Sequence, residues 1–222
     1  TGEVDGPPVR LGVPIADLAA GLFAAQGILA ALVSRASTGR GQQVDVSMLD
    51  SVAALLTYHA TAYLTSGENA PRMGNGHASI VPYNTFEAKD GPLMLAVGND
   101  DQWRRFCTVA ERPELATDPQ FATNAQRVQN RAVLEPLIGR IVATRDRADW
   151  VERLGPAGVP CGVVREVSEV LESPEISARG MITSVPHPTA GQLRLVASPV
   201  KLSGNTTRPD IPPPLLGQHT EA

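Results

Sequence analysis

The sequence has little cysteine and no residue cluster typical of a metal site. Only two of its 222 residues are cysteine, and Cys107 and Cys161 lie far apart in apolar surroundings. This pattern predicts two buried, unpaired thiols and a reducing compartment, for which the cytoplasm is the default. His187 lies between prolines and His219 lies in a proline-rich tail, neither with a Cys or His partner at metal-ligand spacing. We therefore expect no bound metal.

Clustered positive charge is also absent. Lys and Arg total 19 against 23 Asp and Glu, for a net charge of −4, and the arginines are dispersed. Neutralising nucleic-acid phosphates needs clustered Lys and Arg, so no nucleic-acid partner is expected. No apolar run approaches membrane-spanning length and no signal-peptide pattern leads the chain, which predicts no association with a membrane.

Several common enzyme motifs are missing. The sequence contains no Gly-x-Ser-x-Gly, no P-loop and no Gly-x-Gly-x-x-Gly after a strand. These absences exclude the usual serine hydrolase, nucleoside triphosphatase and dinucleotide-binding interpretations.

The hydrophobic pattern predicts an α/β protein. A small-residue helix is expected from Asp17 to Arg35, then a short strand over 43–46 and a second helix, capped by Ser47, that runs to about Leu64. The stretch 68–79 is rich in Gly, Pro, Asn and Arg and predicts a loop at a change of domain.

Beyond this loop the pattern predicts a small α/β domain. Lys89-Asp90-Gly91 between two apolar runs is a hairpin signal. The remaining predicted elements are helices over 101–110, 125–143 and 148–154, a strand over 161–164, a short helix from Ser173, β structure over 182–202 and an extended segment over 208–214. We divide the chain into 1–70, 71–180 and 181–222.

Asp17 is the foremost candidate for chemistry. It stands where the first helix is expected to begin, and Asp is a preferred N-cap residue there. A carboxylate at a helix N-terminus is also held ionised and oriented, which suits a nucleophile that attacks a thioester. Capping is the commonest role of Asp in this setting, and the two roles are compatible.

The loop from Arg72 to Ser79 is the second candidate. Gly74 and Gly76 permit close approach of the backbone to a ligand, and Asn75 and His77 add polar groups. The same residues also suit an ordinary interdomain turn. His77 is a candidate proton carrier, although a lone loop histidine more often makes only hydrogen bonds.

A third acidic position follows the strand predicted to end at Val97. The sequence Asn99-Asp100-Asp101 is typical of an N-cap for the next helix. A helix cap is therefore the simplest interpretation.

Five segments together resemble the class III CoA-transferases, a family that includes formyl-CoA transferase, carnitine CoA-transferases and alpha-methylacyl-CoA racemase. They are Gly12 to Leu22 around Asp17, Thr38-Gly-Arg-Gly-Gln-Gln-Val-Asp-Val-Ser-Met-Leu-Asp, Arg72-Met-Gly-Asn-Gly-His-Ala-Ser-Ile-Val-Pro-Tyr, Gly158-Val-Pro-Cys-Gly-Val-Val and Pro212-Pro-Pro-Leu-Leu-Gly-Gln-His-Thr. The resemblance runs over essentially the whole sequence, and five motifs in order are specific.

The resemblance implies an architecture. It places part of a Rossmann-like large domain before a small α/β domain, within an interlocked homodimer. Members of the family are roughly twice as long, so the N-terminal portion that carries most CoA contacts is expected to be missing here. The C-terminus is likewise expected to stop short of a last helix.

The resemblance also implies an activity. Asp17 would form an aspartyl-CoA thioester while CoA moves from an acyl-CoA donor to a carboxylic acid, with no permanently bound cofactor. Arg72, Gly74, Asn75, Gly76 and His77 would bind the substrate or CoA. The motifs look most like the branch that uses succinyl-CoA and dicarboxylic acids, such as succinate–hydroxymethylglutarate CoA-transferase.

Two alternatives remain open at this point. One is an alpha-methylacyl-CoA racemase or epimerase, in which the Asp would share proton transfer with a His from the missing portion, and in which Asp100 would support the acid/base network. The other is a noncatalytic dimerising fragment.

Overall fold

The computed structural model describes residues 1–205 and 211–220. Its contacts divide the chain into two compact units, Thr1–Val163 and Val164–Ala222. The three-part division made from the sequence stays a prediction.

Three helices open the first unit. Helix α1 spans Ile15–Thr38, α2 spans Met48–Ala54 and α3 spans Tyr58–Ser66. Helix α1 ends at Thr38 and is capped by Gly39, whose φ of 70° is the left-handed conformation that glycine adopts readily at a helix end. Ser47 caps α2 as predicted, since its side chain accepts a hydrogen bond from the Asp50 backbone N–H at 3.2 Å.

Two predictions in this region are wrong. The segment 43–46 forms no strand, because a strand needs a neighbouring strand to pair its backbone groups and no described strand pairs with it. The second helix is not continuous to Leu64 but breaks before α3, where Thr57 has a φ of 46°. No Gly or Pro signals this break in the sequence.

The prediction that no apolar segment reaches membrane-spanning length is wrong, because of helix α1. Its 24 residues are long and apolar enough to cross a membrane, by length and composition alone. A single helix of this kind is weak evidence for a membrane, because core helices pass the same test. Ala19 is its only buried residue, whereas Leu22 and Val33 are 73% and 74% exposed within this chain.

The centre of the first unit is a small antiparallel sheet. Strands β1 (Tyr83–Ala88), β2 (Gly91–Ala96) and β3 (Cys161–Val163) lie in the order β1-β2-β3. The predicted hairpin is confirmed, with Ala88 opposite Gly91 across the turn. Gly91 has a φ of 134°, a conformation that side chains other than glycine rarely adopt.

Five helices lie between β2 and β3. They are α4 (Asp100–Val109), α5 (Glu114–Thr117), α6 (Asn124–Gln129), α7 (Arg131–Val142) and α8 (Arg147–Leu154). The helix predicted over 125–143 is therefore two helices, separated by Asn130.

The hydrophobic core belongs to this part of the chain. Its buried residues run from Val81 to Val159 and include both tryptophans, Trp103 and Trp150. Trp150 donates its indole N–H to the Val142 carbonyl at 2.8 Å, which satisfies the one polar atom of this side chain. The mixed α/β class predicted from the sequence is confirmed.

The second unit is smaller. It contains α9 (Val167–Leu171), α10 (Pro174–Ala178) and the antiparallel pair β4 (Ile182–His187) and β5 (Gly191–Val196). The Ser173 cap of α10 is confirmed by its hydrogen bond from the Ile176 N–H. Of the predicted extended segment 208–214, residues 208–210 lie outside the described residues.

Candidate active site

Asp17 lies in the first turn of α1 rather than at its N-cap. The helix begins two residues earlier, at Ile15, and Pro14 occupies the cap position. Pro14 has a φ of −75°, close to the helical value, and its carbonyl accepts the first helical hydrogen bond, from the Leu18 N–H at 3.0 Å. The predicted capping role is therefore wrong, because proline initiates the helix before Asp17 is reached.

Asp17 still lies in the first turn, beside the N-terminal end of the helix dipole. The unpaired N–H groups of a helix start carry partial positive charge that attracts an anion. Asp17 is exposed, and its carboxylate makes no hydrogen bond or ion pair with any residue in 1–205 or 211–220. Both of its oxygens are therefore without a partner in the described residues.

The glycine loop, residues 72–79, takes its shape from local contacts. The Gly74 N–H donates to the Gly2 carbonyl at 2.9 Å, and the Gly76 N–H donates to the Met73 carbonyl at 2.8 Å. Gly74 has a φ of 56°, and a side chain there would meet a carboxylate oxygen of Glu3 at 2.8 Å. Gly74 thus allows the N-terminal segment to pack against the loop.

Arg72 and Asn75 present unpaired polar groups on this loop. Both side chains are exposed, and neither makes a hydrogen bond or ion pair within the described parts of the chain. An unpaired guanidinium is well suited to bind a carboxylate or a phosphate.

His77 is held in a stack of aromatic rings. Its imidazole lies 5.5 Å from the ring of Tyr58 and 5.2 Å from that of Tyr83, measured between ring centres. The His77 Nδ1 accepts a hydrogen bond from the Ser79 backbone N–H at 3.2 Å. A neutral imidazole that accepts at Nδ1 carries its proton at Nε2. His77 therefore offers a hydrogen-bond donor at Nε2.

Asp100 has a structural partner. Asn99, not Asp100, caps α4 by accepting a hydrogen bond from the Gln102 N–H at 2.9 Å. The Asp100 carboxylate accepts hydrogen bonds from the Arg127 guanidinium at 2.9 Å and from the Asn124 backbone N–H at 2.8 Å. Arg127 is fully buried, and burial lowers its pKa while the hydrogen bond to Asp100 opposes that change.

The structure does not join the two candidate elements directly. No hydrogen bond, ion pair or ring contact in residues 1–205 and 211–220 connects Asp17 to residues 72–77. The loop itself is held by two side chains that the sequence did not single out, Asn124 and Arg131, while Arg127 holds the nearby Val81 carbonyl. These three residues lie on two successive helices, α6 and α7, and no local pattern in the sequence indicated their contacts with this segment.

The other candidate groups are not suited to catalysis. Burial raises the pKa of the Cys107 thiol to about 12, so the thiolate needed for nucleophilic attack does not form at neutral pH. Cys161 is half-buried rather than buried, and burial raises its pKa too; both thiols are free. His187 caps its own turn by accepting from the Thr189 and Ala190 N–H groups. Within the described residues no group of His, Cys, Asp and Glu side chains is placed to hold a metal.

The chain belongs to CoA-transferase family III, whose family model matches residues 1–220. This agrees with the resemblance drawn from the five sequence motifs.

Named relatives are CoA-transferases. The chain is 39% identical over 220 residues to succinyl-CoA:glutarate CoA-transferase of Mus musculus, covering 99% of this chain and 50% of that protein. It is 38% identical over 222 residues to an acyl-CoA transferase of Fusarium pseudograminearum, with coverage of 99% and 49%. The chain thus spans about half the length of the curated relatives it matches.

Solved structures share the fold. A CAIB/BAIF family protein from Brucella suis superimposes with a TM-score of 0.80 at 36% identity, covering 99% of this chain and 57% of that chain. Rv3272 of Mycobacterium tuberculosis gives a TM-score of 0.83 at 22% identity, with coverage of 98% and 59%.

Proposed function

We propose that the whole protein transfers CoA from an acyl-CoA donor to a carboxylic acid, with Asp17 as the covalent nucleophile. The observation that carries this proposal is an exposed, unpaired carboxylate in the first turn of α1, within a chain of CoA-transferase family III. Succinyl-CoA is the proposed donor and a dicarboxylic acid the proposed acceptor, because the mouse relative is named a succinyl-CoA:glutarate CoA-transferase.

The proposed reaction conserves the thioester. A carboxylate oxygen of Asp17 attacks the donor carbonyl carbon, the C–S bond breaks, and a mixed anhydride and CoA thiolate form. The thiolate then attacks the aspartyl carbonyl, which gives an aspartyl-CoA thioester and releases the donor acid as its carboxylate. The acceptor carboxylate repeats these steps in reverse and regenerates Asp17. No hydrolysis occurs, so no thioester energy is lost.

The glycine loop supports the proposal as a substrate-binding element. The unpaired Arg72 guanidinium supplies positive charge for a phosphate or carboxylate, and Asn75 and His77 supply hydrogen-bond donors. Each tetrahedral addition places negative charge on an oxygen, and backbone N–H groups are the usual donors to such an oxygen. Gly74 and Gly76 contribute by allowing the compact backbone described above. A loop over the site would also exclude water from the anhydride.

Assembly and location are part of the same proposal. We propose an interlocked homodimer that covers the apolar surface of α1, together with a cytoplasmic location in keeping with two free thiols. We propose neither a nucleic-acid partner nor an association with a membrane.

The dimer can be tested on the full-length protein. Because α1 exposes large apolar side chains such as Leu29, at 64%, we expect a mass of two chains by light scattering at micromolar concentration. Dilution to nanomolar concentration should leave this mass unchanged if the chains interlock. A monomer mass in the active, full-length protein would contradict the prediction.

The 222-residue chain by itself is expected to have little or no transferase activity. It contains no phosphate-binding glycine motif or basic cluster, and it spans about half of each relative. Without binding of the CoA portion, the energy that positions the thioester is lost, commonly several kcal/mol. Calorimetry with CoA and turnover with succinyl-CoA should be compared between this chain and the full-length protein. Micromolar CoA binding with acyl transfer by the chain alone would contradict this expectation.

The proposed activity is tested by incubating full-length protein with succinyl-CoA and a panel of carboxylic acids. Mass spectrometry of the CoA esters should show a new ester that depends on the acceptor. A parallel incubation with a 2-methylacyl-CoA tests the alternative: if its configuration changes and no CoA transfer is found in either incubation, the racemase alternative is correct and the proposal is wrong.

A further inference from the structure

Two side chains from α6 and α7 hold the backbone of the glycine loop. The Arg131 guanidinium donates one hydrogen bond to the His77 carbonyl at 2.6 Å and another to the Ala78 carbonyl at 3.3 Å. Asn124 donates to the Ser79 carbonyl at 2.8 Å. Three successive carbonyls of the loop are therefore held by side chains of these helices.

Val81, two residues after Ser79, is held on both of its backbone polar groups. Val81 donates its N–H to the side-chain oxygen of Asn124 at 3.2 Å, and its carbonyl accepts from the Arg127 guanidinium at 2.7 Å. Arg127 is fully buried. These bonds anchor the C-terminal end of the loop to the hydrophobic core.

Arg131 is itself held in place. Its guanidinium also donates to the Glu135 carboxylate at 2.9 Å, one turn along α7, and each of the two side chains is only 21% exposed. A half-buried, paired guanidinium keeps its orientation better than a free one on the surface. The loop carbonyls thus face a rigid donor.

The held carbonyls determine where the loop N–H groups point. In a trans peptide the C=O and the following N–H point in opposite directions. Because the His77 and Ser79 carbonyls face Arg131 and Asn124, the N–H groups of Ala78 and Ile80 face away from these side chains. Neither N–H donates to another residue within 1–205 or 211–220.

We propose that Arg131 is a positioning residue for CoA transfer, acting by directing the Ala78 and Ile80 N–H groups at the oxygen that becomes negative when the thioester is attacked. This inference rests on the proposed function. Two preorganised N–H donors at such an oxygen stabilise the transition state without reorganisation. Asn124 also positions the loop, through its hydrogen bond to the Ser79 carbonyl. In this proposal neither Arg131 nor Asn124 bonds to the substrate through its side chain.

The test uses the full-length protein with Arg131→Met, Arg131→Lys and the control Arg140→Met. Arg140 lies on α7, is exposed, and makes no hydrogen bond or ion pair in the described residues. Arg131→Met is expected to lower kcat about 100-fold, with KM for the acyl-CoA within about threefold, because positioning is lost and ground-state binding is not. Arg131→Lys should have a kcat about tenfold higher than that of Arg131→Met, because lysine can still donate to one of the two carbonyls. Arg140→Met should match the wild type.

Hydrogen exchange measured by mass spectrometry separates this inference from the activity itself. Peptides that cover 75–82 should exchange faster in Arg131→Met than in Arg140→Met, with unchanged exchange in the β1-β2 hairpin. Should Arg131→Met fail to fold, Asn124→Asp replaces the donor to the Ser79 carbonyl with a carboxylate oxygen, keeps the acceptor for the Val81 N–H, and is expected to lower kcat about tenfold.

The outcomes have different meanings. Equal kcat in Arg131→Met and Arg140→Met, or equal exchange of 75–82 in the two variants, overturns the positioning role. If the wild-type full-length protein transfers no CoA, the proposed function is wrong, and faster exchange in Arg131→Met would then still show that Arg131 orders the loop.

Discussion

Asp17→Asn in the full-length protein is expected to abolish CoA transfer, with kcat lower by at least about 10⁴-fold. An amide cannot supply the oxygen nucleophile that forms the mixed anhydride, and no other described acid lies in the first turn of α1. Stability should change by less than about 1 kcal/mol, the usual size of an exposed charge–helix-dipole effect. The measurements are steady-state turnover and thermal unfolding.

Asp50→Asn is the matched control for this prediction. Asp50 occupies the same position in α2 as Asp17 does in α1, in the first turn, and it is also exposed. Its replacement removes a similar charge from a similar place, so turnover should stay near the wild-type rate. Equal activity losses in the two variants would show that helix stability, not nucleophilic attack, explains the effect.

The covalent intermediate provides a direct test of the same role. Wild-type protein mixed with acyl-CoA alone should gain the mass of one CoA less one water, located on the peptide that contains Asp17. Asp17→Asn should gain none. Transfer at near wild-type rate in Asp17→Asn would contradict the assignment.

Arg127→Met is expected to destabilise the protein by about 3–5 kcal/mol. The guanidinium is fully buried, donates to the carbonyls of Val81 and Phe121, and pairs with Asp100 at 2.9 Å. Methionine fills a similar volume but leaves these acceptors without their donor, which costs the full desolvation penalty of each. Chemical denaturation of the wild type and the variant measures the difference.

Two comparisons sharpen this second prediction. Arg140→Met, on the surface of α7, should change stability by less than about 0.5 kcal/mol. Asp100→Asn combined with Arg127→Met should cost less than the sum of the single changes, because the pair is lost once. A loss below about 1 kcal/mol in Arg127→Met would show that water replaces the guanidinium at its acceptors.

Local signals in the sequence were reliable where local physics is sufficient. Ser47, Asn99 and Ser173 cap helices as predicted, because a cap depends on a side chain and an N–H only three residues apart. The Lys89-Asp90-Gly91 turn and the strands around it are confirmed for the same reason. The family was also correctly identified from short motifs in a fixed order.

Predictions failed where the local structure depends on a neighbouring element or on a second residue that competes for the same position. Residues 43–46 alternate as a strand but have no pairing partner among the described strands, so alternation alone was not sufficient. Asp17 carries the residue type of an N-cap, yet Pro14 starts α1 three residues before it. The apolar character of α1 was underestimated, because many of its residues are small and the long stretch without charged residues was overlooked.

The sequence by itself determined the residues that the proposed chemistry needs, Asp17 and the loop 72–77, because these depend on residue type and order along the chain. Only the tertiary structure decided which other residues contact them and hold them in place. The stack around His77 involves Tyr58, 19 positions earlier, and the bond between Arg131 and the His77 carbonyl spans 54 positions. Contacts at such separations depend on how the helices pack on the sheet, which no short window of sequence specifies.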